Sequence, residues 1–314
     1  MKIGIRLSKE NQTWIEAFTA LGERTNHEVC FGFKEVVHML DAQVIVTNYP
    51  ISLEEAKQYQ NLHLIMFSFT GLNNLPISYF QEQNIKVVNC HAHGKFVAEK
   101  AMALTLSLTN KVVKNHQGFI GGWSQVQDSS WTSLYGMKIG LLGMGEISLN
   151  LIKILEPFNC HFITLKRYEK RTKDLKNISY VQDVRHVCVD SDLIISSLPL
   201  TEETNNLVDK DLLMKMHNKY LVNVGRAQIF NEEGLYQALR DNILKGAALE
   251  VWYNYPPHNY PSQYPIHDLS NVILSPHCAA NTSQSHEAVL ADLVDNLQGY
   301  LNQQELRNVI NKNY

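Results

Sequence analysis

The run MKIGLLGMGEISLNLIKIL sets Gly143, Met144 and Gly145 between a strand-like segment and one with helical apolar spacing. Such a turn suits a pyrophosphate. The first glycine permits the tight bend, the second lets the backbone come close, and the amides that open the helix, around Glu146 and Ile147, face the anion. The third position of the fingerprint is Ser148 instead of glycine, still small enough for a helix to pack closely on a strand. About 20 residues on, where a site for NAD would carry an acidic residue for the ribose hydroxyls, the strand CHFITL ends in Lys166 and Arg167. Two cations there favour a 2′-phosphate, so NADP is preferred and NAD remains possible. Lys170, Arg171, Lys173 and Lys176 extend the basic patch against Glu169 and Asp174. For the distal lysines the alternative is a solvated loop that binds nothing.

Four further segments, DLIISSLPLTEET, YLVNVGRAQIF, GAALEVWYNYP and NVILSPHCAANT, each run from an apolar strand-like stretch into a polar turn. In a parallel wound sheet such turns gather at the carboxyl ends of the strands, where ligands bind. Taken with the glycine turn, their order and content resemble the D-isomer-specific 2-hydroxyacid dehydrogenase family, including glyoxylate/hydroxypyruvate reductases and phosphoglycerate dehydrogenases, over essentially the whole chain.

The resemblance implies an NAD(P)-dependent hydride transfer to or from a small 2-keto or 2-hydroxy acid, and it assigns roles to particular residues. Asn223-Val224-Gly225-Arg226-Ala227 matches the family's NxxRG segment except for its last residue, which gives Arg226 the substrate-clamping role. A permanently charged planar fork suits a carboxylate and an adjacent carbonyl. Ser275-Pro276-His277 matches the segment with the proton-donating histidine, and imidazole titrates where a proton can be given or taken near neutral pH. The third catalytic position departs from the pattern. Where keto-acid reductases carry a Glu before a Pro, this chain has Tyr255 before Pro256, and Glu250 stands for the family's nicotinamide-contacting Asp. Without a carboxylate partner His277 is expected to be less basic and less well oriented.

Ser197, Leu198, Pro199 and Thr204 are placed by resemblance on the adenosine-side wall, with Val224 and Gly225 beside the cofactor; a buried turn would explain the first four equally well. In the first domain SFTGLNNLP resembles the family's carboxylate loop, with amides of Thr70, Gly71 and Leu72 as an anion nest. Glu99, in VAEK, is expected to be structural. Cys278 is set aside as a nucleophile because neighbours on an extended segment point to opposite sides. His91 and His93 imitate a metal pair, but no cysteine or carboxylate cluster completes it, so no metal is expected. Two rival readings follow from the missing carboxylate: a formate-dehydrogenase-like enzyme, although that branch uses Gln where Tyr255 stands, and a dinucleotide-binding regulatory protein with little turnover.

These residues need a framework, and the chain is long enough for two domains. It has 314 residues, 45% hydrophobic and 19% charged, with a net charge of −3, an ordinary enzyme composition that disfavours a disordered tail or a general nucleic-acid binder. Short β-branched runs begin near Ile3, Glu28, Val44 and Leu64, and again near Lys138, His161, Leu193, Tyr220, Ala247 and Val272, alternating with helical spacing such as Asn11 to Gly22 and Leu53 to Gln60. The expected fold is α/β: a Rossmann dinucleotide-binding domain, 97–281, inserted into a flavodoxin-like substrate domain made of 1–96 and completed by 282–314. A continuous helix is expected over Val97 to Lys114, apolar on more than one face and suited to a homodimer contact, with a long amphipathic helix after Cys278. MKIGIRLSKE lacks a signal-peptide apolar region, no stretch is long enough to span a bilayer, and five scattered cysteines without a CxxC pair point to reduced thiols in the cytoplasm.

Overall fold

The computed structural model describes residues 1–33, 37–73, 75–123, 130–172 and 175–310. Lys173, Asp174, most of the GGWSQVQDSSW stretch (124–129) and the side chains of Lys170 and Arg171 lie outside the described residues. The chain divides into two compact units, Met1–His93 with Asn281–Tyr314, and Gly94–Ala280.

The first unit is a five-stranded parallel sheet: β1 (Lys2–Leu7), β2 (Glu28–Phe33), β3 (Val44–Thr47), β4 (Leu64–Phe67) and β5 (Lys86–Val88), in the spatial order 2-1-3-4-5. That is the flavodoxin-like order. Alternation sends Ile3, Ile5, Val44, Val46, Leu64 and Met66 to one face and Ile45, Ile65 and Phe67 to the other. The first face is covered by Trp14, Phe18 and Leu21 of helix Gln12–Thr25 and by Val289, Leu290, Leu293 and Leu297 of the last helix, Ser283–Leu301. Each helix starts at a side-chain cap: Asn11 Oδ1 accepts the Trp14 amide at 3.3 Å and Thr282 Oγ1 the Ser285 amide at 3.0 Å. The last helix thus belongs to the unit that begins the chain.

The second unit carries β6 (Lys138–Leu142), β7 (His161–Leu165), β8 (Ile178–Val181), β9 (Leu193–Ser196), β10 (Lys219–Asn223), β11 (Leu244–Leu249) and β12 (Val272–Leu274). All pairings are parallel, in the order β12-β11-β10-β9-β6-β7-β8. This is the Rossmann arrangement, with its strand order reversing between β6 and β9, where a dinucleotide is bound in such folds. Leu193 and Ile195 of β9 face one core cluster and Ile194 the other, so both faces of the sheet are buried. The fold is therefore a Rossmann domain inserted into a flavodoxin-like one.

Two expectations need correction. The helix foreseen from Val97 to Lys114 starts at Gly94 and stops at Thr109, and a second helix, Val112–Ile120, follows it. The break sits at Lys111, whose φ of 53° is left-handed and incompatible with a continuous right-handed helix. The helix foreseen from Leu53 to Gln60 is a single turn, Leu53–Ala56, capped by Ser52.

Candidate active site

The glycine turn follows β6 directly. Gly143 has φ +102°, and a Cβ built there would lie 2.8 Å from Ser197 Oγ, so both backbone and space require glycine. Gly145 is the residue before helix Glu146–Leu155, and a Cβ built on it would meet nothing within 4 Å. The outer side of Gly145, at the start of that ten-residue helix, is therefore open. Ser148 is fully buried, and its hydroxyl lies 3.0 Å from Ser197 Oγ. The serine in place of a third glycine is thus accommodated by a hydrogen bond across the switch point.

Ser197 and Leu198 follow β9, and Gly225 follows β10 at close quarters with them: a Cβ on Gly225 would come within 2.6 Å of the Leu198 carbonyl oxygen. Thr204 is 6% exposed and its hydroxyl donates to the Pro199 carbonyl at 2.7 Å while accepting the Thr201 amide at 2.8 Å. Its side chain shapes the turn after Pro199. Lys166 and Arg167 are exposed immediately beyond β7, and the Arg167 guanidinium lies 5.0 Å from the Tyr168 ring centroid.

The chemistry-bearing side chains of this unit gather at the ends of β10, β11 and β12. Asn223 closes its turn on itself: its Oδ1 accepts the Gly225 amide at 3.1 Å and its Nδ2 donates to the Arg226 carbonyl at 3.0 Å. Arg226 then leaves in extended conformation with Nη1 donating to the Gly225 carbonyl at 2.7 Å. Beyond β11, Glu250 is 1% exposed; its Oε1 accepts the Ala279 amide at 2.6 Å, and its Oε2 is buried without a hydrogen-bond partner. Tyr255 Oη accepts the Trp252 amide at 3.1 Å and stands 2.9 Å from His277 Nδ1. Trp252, to which the sequence assigned no role, also donates its indole N–H to the Ser275 carbonyl at 2.8 Å, tying the turn of Tyr255 to the segment of His277.

His277 itself is left-handed, with φ 57°. The extended segment used to set Cys278 aside is therefore corrected, yet the outcome for that thiol holds on other grounds. His277 Nδ1 is turned to Tyr255, and Cys278 Sγ lies 3.8 Å from Ser275 Oγ. Partial burial pushes the His277 imidazole below its ordinary range, the nearby Arg226 charge adds to this, and Glu250 opposes it. Burial raises the Tyr255 phenol, so it stays protonated at neutral pH.

In the first unit Thr70 Oγ1 donates to the Cys90 carbonyl at 2.8 Å and stands 2.8 Å from His93 Nε2, while Asn89 Nδ2 donates to the Thr70 carbonyl at 2.9 Å. This network braces the loop of Thr70, Gly71 and Leu72. His91 Nε2 lies 3.0 Å from Asn89 Oδ1, so both histidines of CHAHG engage neighbouring polar groups. Among the described residues no group of three or more His, Cys, Asp or Glu side chains is placed to hold a metal ion. Nor is any helix among them long and apolar enough to cross a membrane.

The residues present fit a dinucleotide. The open face of Gly145 suits a pyrophosphate, and the orphaned Glu250 Oε2 is the acceptor that a carboxamide N–H would satisfy. Fold and turn together define a two-unit, dinucleotide-binding α/β protein of the dehydrogenase type.

Comparison with known proteins agrees. The model of the D-isomer specific 2-hydroxyacid dehydrogenase NAD-binding domain matches residues 102–279, and the chain belongs to that family. It is 28% identical over 249 residues to glyoxylate/hydroxypyruvate reductase A of Arabidopsis thaliana, covering 78% of this chain and 77% of that protein. It is 25% identical over 280 residues to the D-3-phosphoglycerate dehydrogenase of Methanocaldococcus jannaschii, covering 88% of this chain but only 53% of that longer protein. Among solved structures, an acyclic imino acid reductase in complex with NADPH and D-Arg superposes with a TM-score of 0.83 at 24% identity, covering 99% of this chain and all of that one. At that identity the superposition speaks for the fold.

Proposed function

We propose that the protein is an NAD(P)-dependent oxidoreductase acting at C2 of a small 2-keto or 2-hydroxy acid. The observation that carries this reading is the meeting of Tyr255 and His277 at 2.9 Å, with the charges of both Arg226 and Glu250 felt by the His277 ring. The cofactor, when bound, supplies or accepts a hydride. The chain's own residues do the rest. Arg226 holds the substrate carboxylate and polarises the group at C2. The amides of Thr70, Gly71 and Leu72 are, by resemblance, an anion nest of the first unit. His277, anchored through Nδ1, presents Nε2 to the reacting heteroatom and gives or takes the proton there. Glu250 and the turns of Gly143, Gly145, Ser197 and Gly225 hold the dinucleotide, with Val224, Leu198 and Pro199 along its wall.

Lys166 and Arg167 support NADP over NAD, since both are exposed at the end of β7 with no carboxylate between them to bind ribose hydroxyls. A homodimer is supported by helix Val112–Ile120, which buries none of its residues, and by the neighbouring Trp123 and Trp131, 82% and 57% exposed. Five free cysteines suit the reducing cytoplasm. Steady-state oxidation of NADPH and NADH with glyoxylate, hydroxypyruvate, pyruvate and bulkier keto acids tests the reading; tight dinucleotide binding with no turnover on any of them would replace it with a regulatory role.

A further inference from the structure

Reducing a carbonyl next to a carboxylate makes an alkoxide, so a proton must reach the oxygen as the hydride arrives. A cationic imidazole held charged by a carboxylate is suited to that task. His277 has no such partner on Nδ1. The atom it meets there, Tyr255 Oη, is a neutral hydroxyl that already accepts the Trp252 amide at 3.1 Å. Unlike a carboxylate, this hydroxyl adds no negative charge to stabilise an imidazolium. It retains a lone pair that can accept Nδ1–H, and with Tyr255 41% exposed its own proton can go to water. In the tautomer with its proton on Nδ1, the neutral ring presents a bare lone pair at Nε2. Burial and Arg226 act in the same direction, lowering the pKa of the ring against the opposing charge of Glu250.

Arg226 supplies a positive charge for a carboxylate, and beside it His277 and Tyr255 form a neutral pair in place of an ion pair. A neutral acceptor at Nε2 matches a substrate that brings its own N–H donor better than one whose oxygen must be given a proton. Resting on the hydride-transfer reading above, the geometry points to a protonated 2-imino acid, carboxylate at one end and C=NH2+ at C2, as the substrate class this site reduces in preference to the 2-keto acid. C2 gains hydrogen with its electron pair from the reduced nicotinamide, which is thereby oxidised. The C=N π pair moves onto nitrogen, giving a neutral amine that takes a proton from water to become the amino acid. No proton is delivered in the hydride step. Nε2 accepts an N–H of the iminium and positions it, whereas an imidazolium in the same place would repel it. The Tyr255 for Glu exchange is thus a change of substrate class.

The test is oxidation of NADPH and NADH by the whole enzyme with glyoxylate or pyruvate at pH 9, with ammonium chloride or with potassium chloride at equal ionic strength, and identification of the product. Ammonium forms the imine in solution. The expected result is at least a tenfold higher rate with ammonium and an amino acid as the main product. Tyr255→Glu should reverse the preference, lowering amino-acid formation tenfold or more and raising hydroxy-acid formation. If that variant does not fold, Tyr255→Phe, which removes the anchor of Nδ1 without adding charge, should lower amino-acid formation with no gain in hydroxy acid. Hydroxy acid formed equally fast with either salt overturns the imine proposal and leaves the dehydrogenase reading standing. Absence of turnover with both salts overturns the two together.

Discussion

Glu250 Oε1 accepts the backbone N–H of Ala279 at 2.6 Å, joining the end of β11 to the segment in which His277 stands two residues earlier. Both atoms are buried, and the second carboxylate oxygen has no hydrogen-bond partner among the described residues. One oxygen therefore fixes the catalytic segment and the other is left for a ligand. Glu250→Ala should leave the Ala279 amide unsatisfied, at a cost of ~1–3 kcal/mol, and should also weaken dinucleotide binding. Glu250→Gln retains an acceptor for the amide, so it should unfold at nearly the wild-type temperature. Thermal unfolding of both variants, paired with dinucleotide binding followed by fluorescence, checks this; an unchanged dissociation constant in the alanine variant would remove Glu250 from the cofactor site.

His277, which meets the Tyr255 hydroxyl where a carboxylate would raise its pKa, has a pH dependence opposite in direction to that of a carboxylate-paired imidazole. Partial burial and Arg226 depress the pKa, so the ring is charged only at pH below the ordinary value of about 6.5. Folding is linked in the same sense: the contribution is full above the unfolded value and is lost as pH falls toward the depressed folded value. Tyr255→Glu places a negative charge against Nδ1 and should raise the midpoint by about 1 unit or more. Titrating the His277 ring resonances by NMR in wild type and variant measures the shift without any need for turnover, and coincident titration curves would show that Tyr255 does not set the charge of the ring.

How much of this was legible in the sequence differs between levels. Strands such as LIIS and LIMF stand out because both sheet faces are buried and the runs are continuously apolar. β5 (KVV) and β8 (ISYV) are short edge strands carrying polar residues, so they give no comparable run. The break at Lys111 is hidden because no glycine or proline marks it, and only the left-handed backbone reveals it. At the site, the residue types in the NVGRA and SPHCA segments were readable in order. Their connections were not, since the Glu250–Ala279 bond spans 29 residues and the left-handed turn at His277 is imposed by packing with no glycine to announce it.

Lys166 and Arg167 stand free of ion pairs among the described salt bridges and are exposed at the end of β7, beside the strand that delivers the glycine turn. A 2′-phosphate would be held there by charge-assisted hydrogen bonds to both. Replacing the pair with Ser and Gln should raise the dissociation constant for NADPH by about tenfold or more, equivalent to ~1.4 kcal/mol, and change that for NADH little. The NADPH effect should weaken as salt is raised, because exposed charges are screened. Equal losses for the two dinucleotides would place the effect in the fold of the 166–168 turn.

Gly225 lies where β9 and β10 deliver their turns side by side. A methyl group at this position would stand 2.6 Å from the Leu198 carbonyl oxygen and 2.8 Å from its nitrogen, and 2.9 Å from the Ser197 carbonyl carbon. All three are backbone atoms, so no side-chain rotation can relieve the clash. One of the two turns must move. Overpacking of this kind costs ~1–3 kcal/mol. The displacement falls on Ser197, whose hydroxyl meets Ser148, and on Arg226, whose guanidinium donates to the Gly225 carbonyl. Gly225→Ala should therefore lower the unfolding temperature by several degrees and reduce dinucleotide affinity and kcat/KM together, each tenfold or more, with secondary structure retained by circular dichroism. Gly122→Ala is the contrast, since a Cβ there meets nothing within 4 Å although its φ is +88°. It should cost stability through backbone strain and leave dinucleotide affinity unchanged, and a matching loss of affinity in both variants would show that the effect at Gly225 is one of general stability.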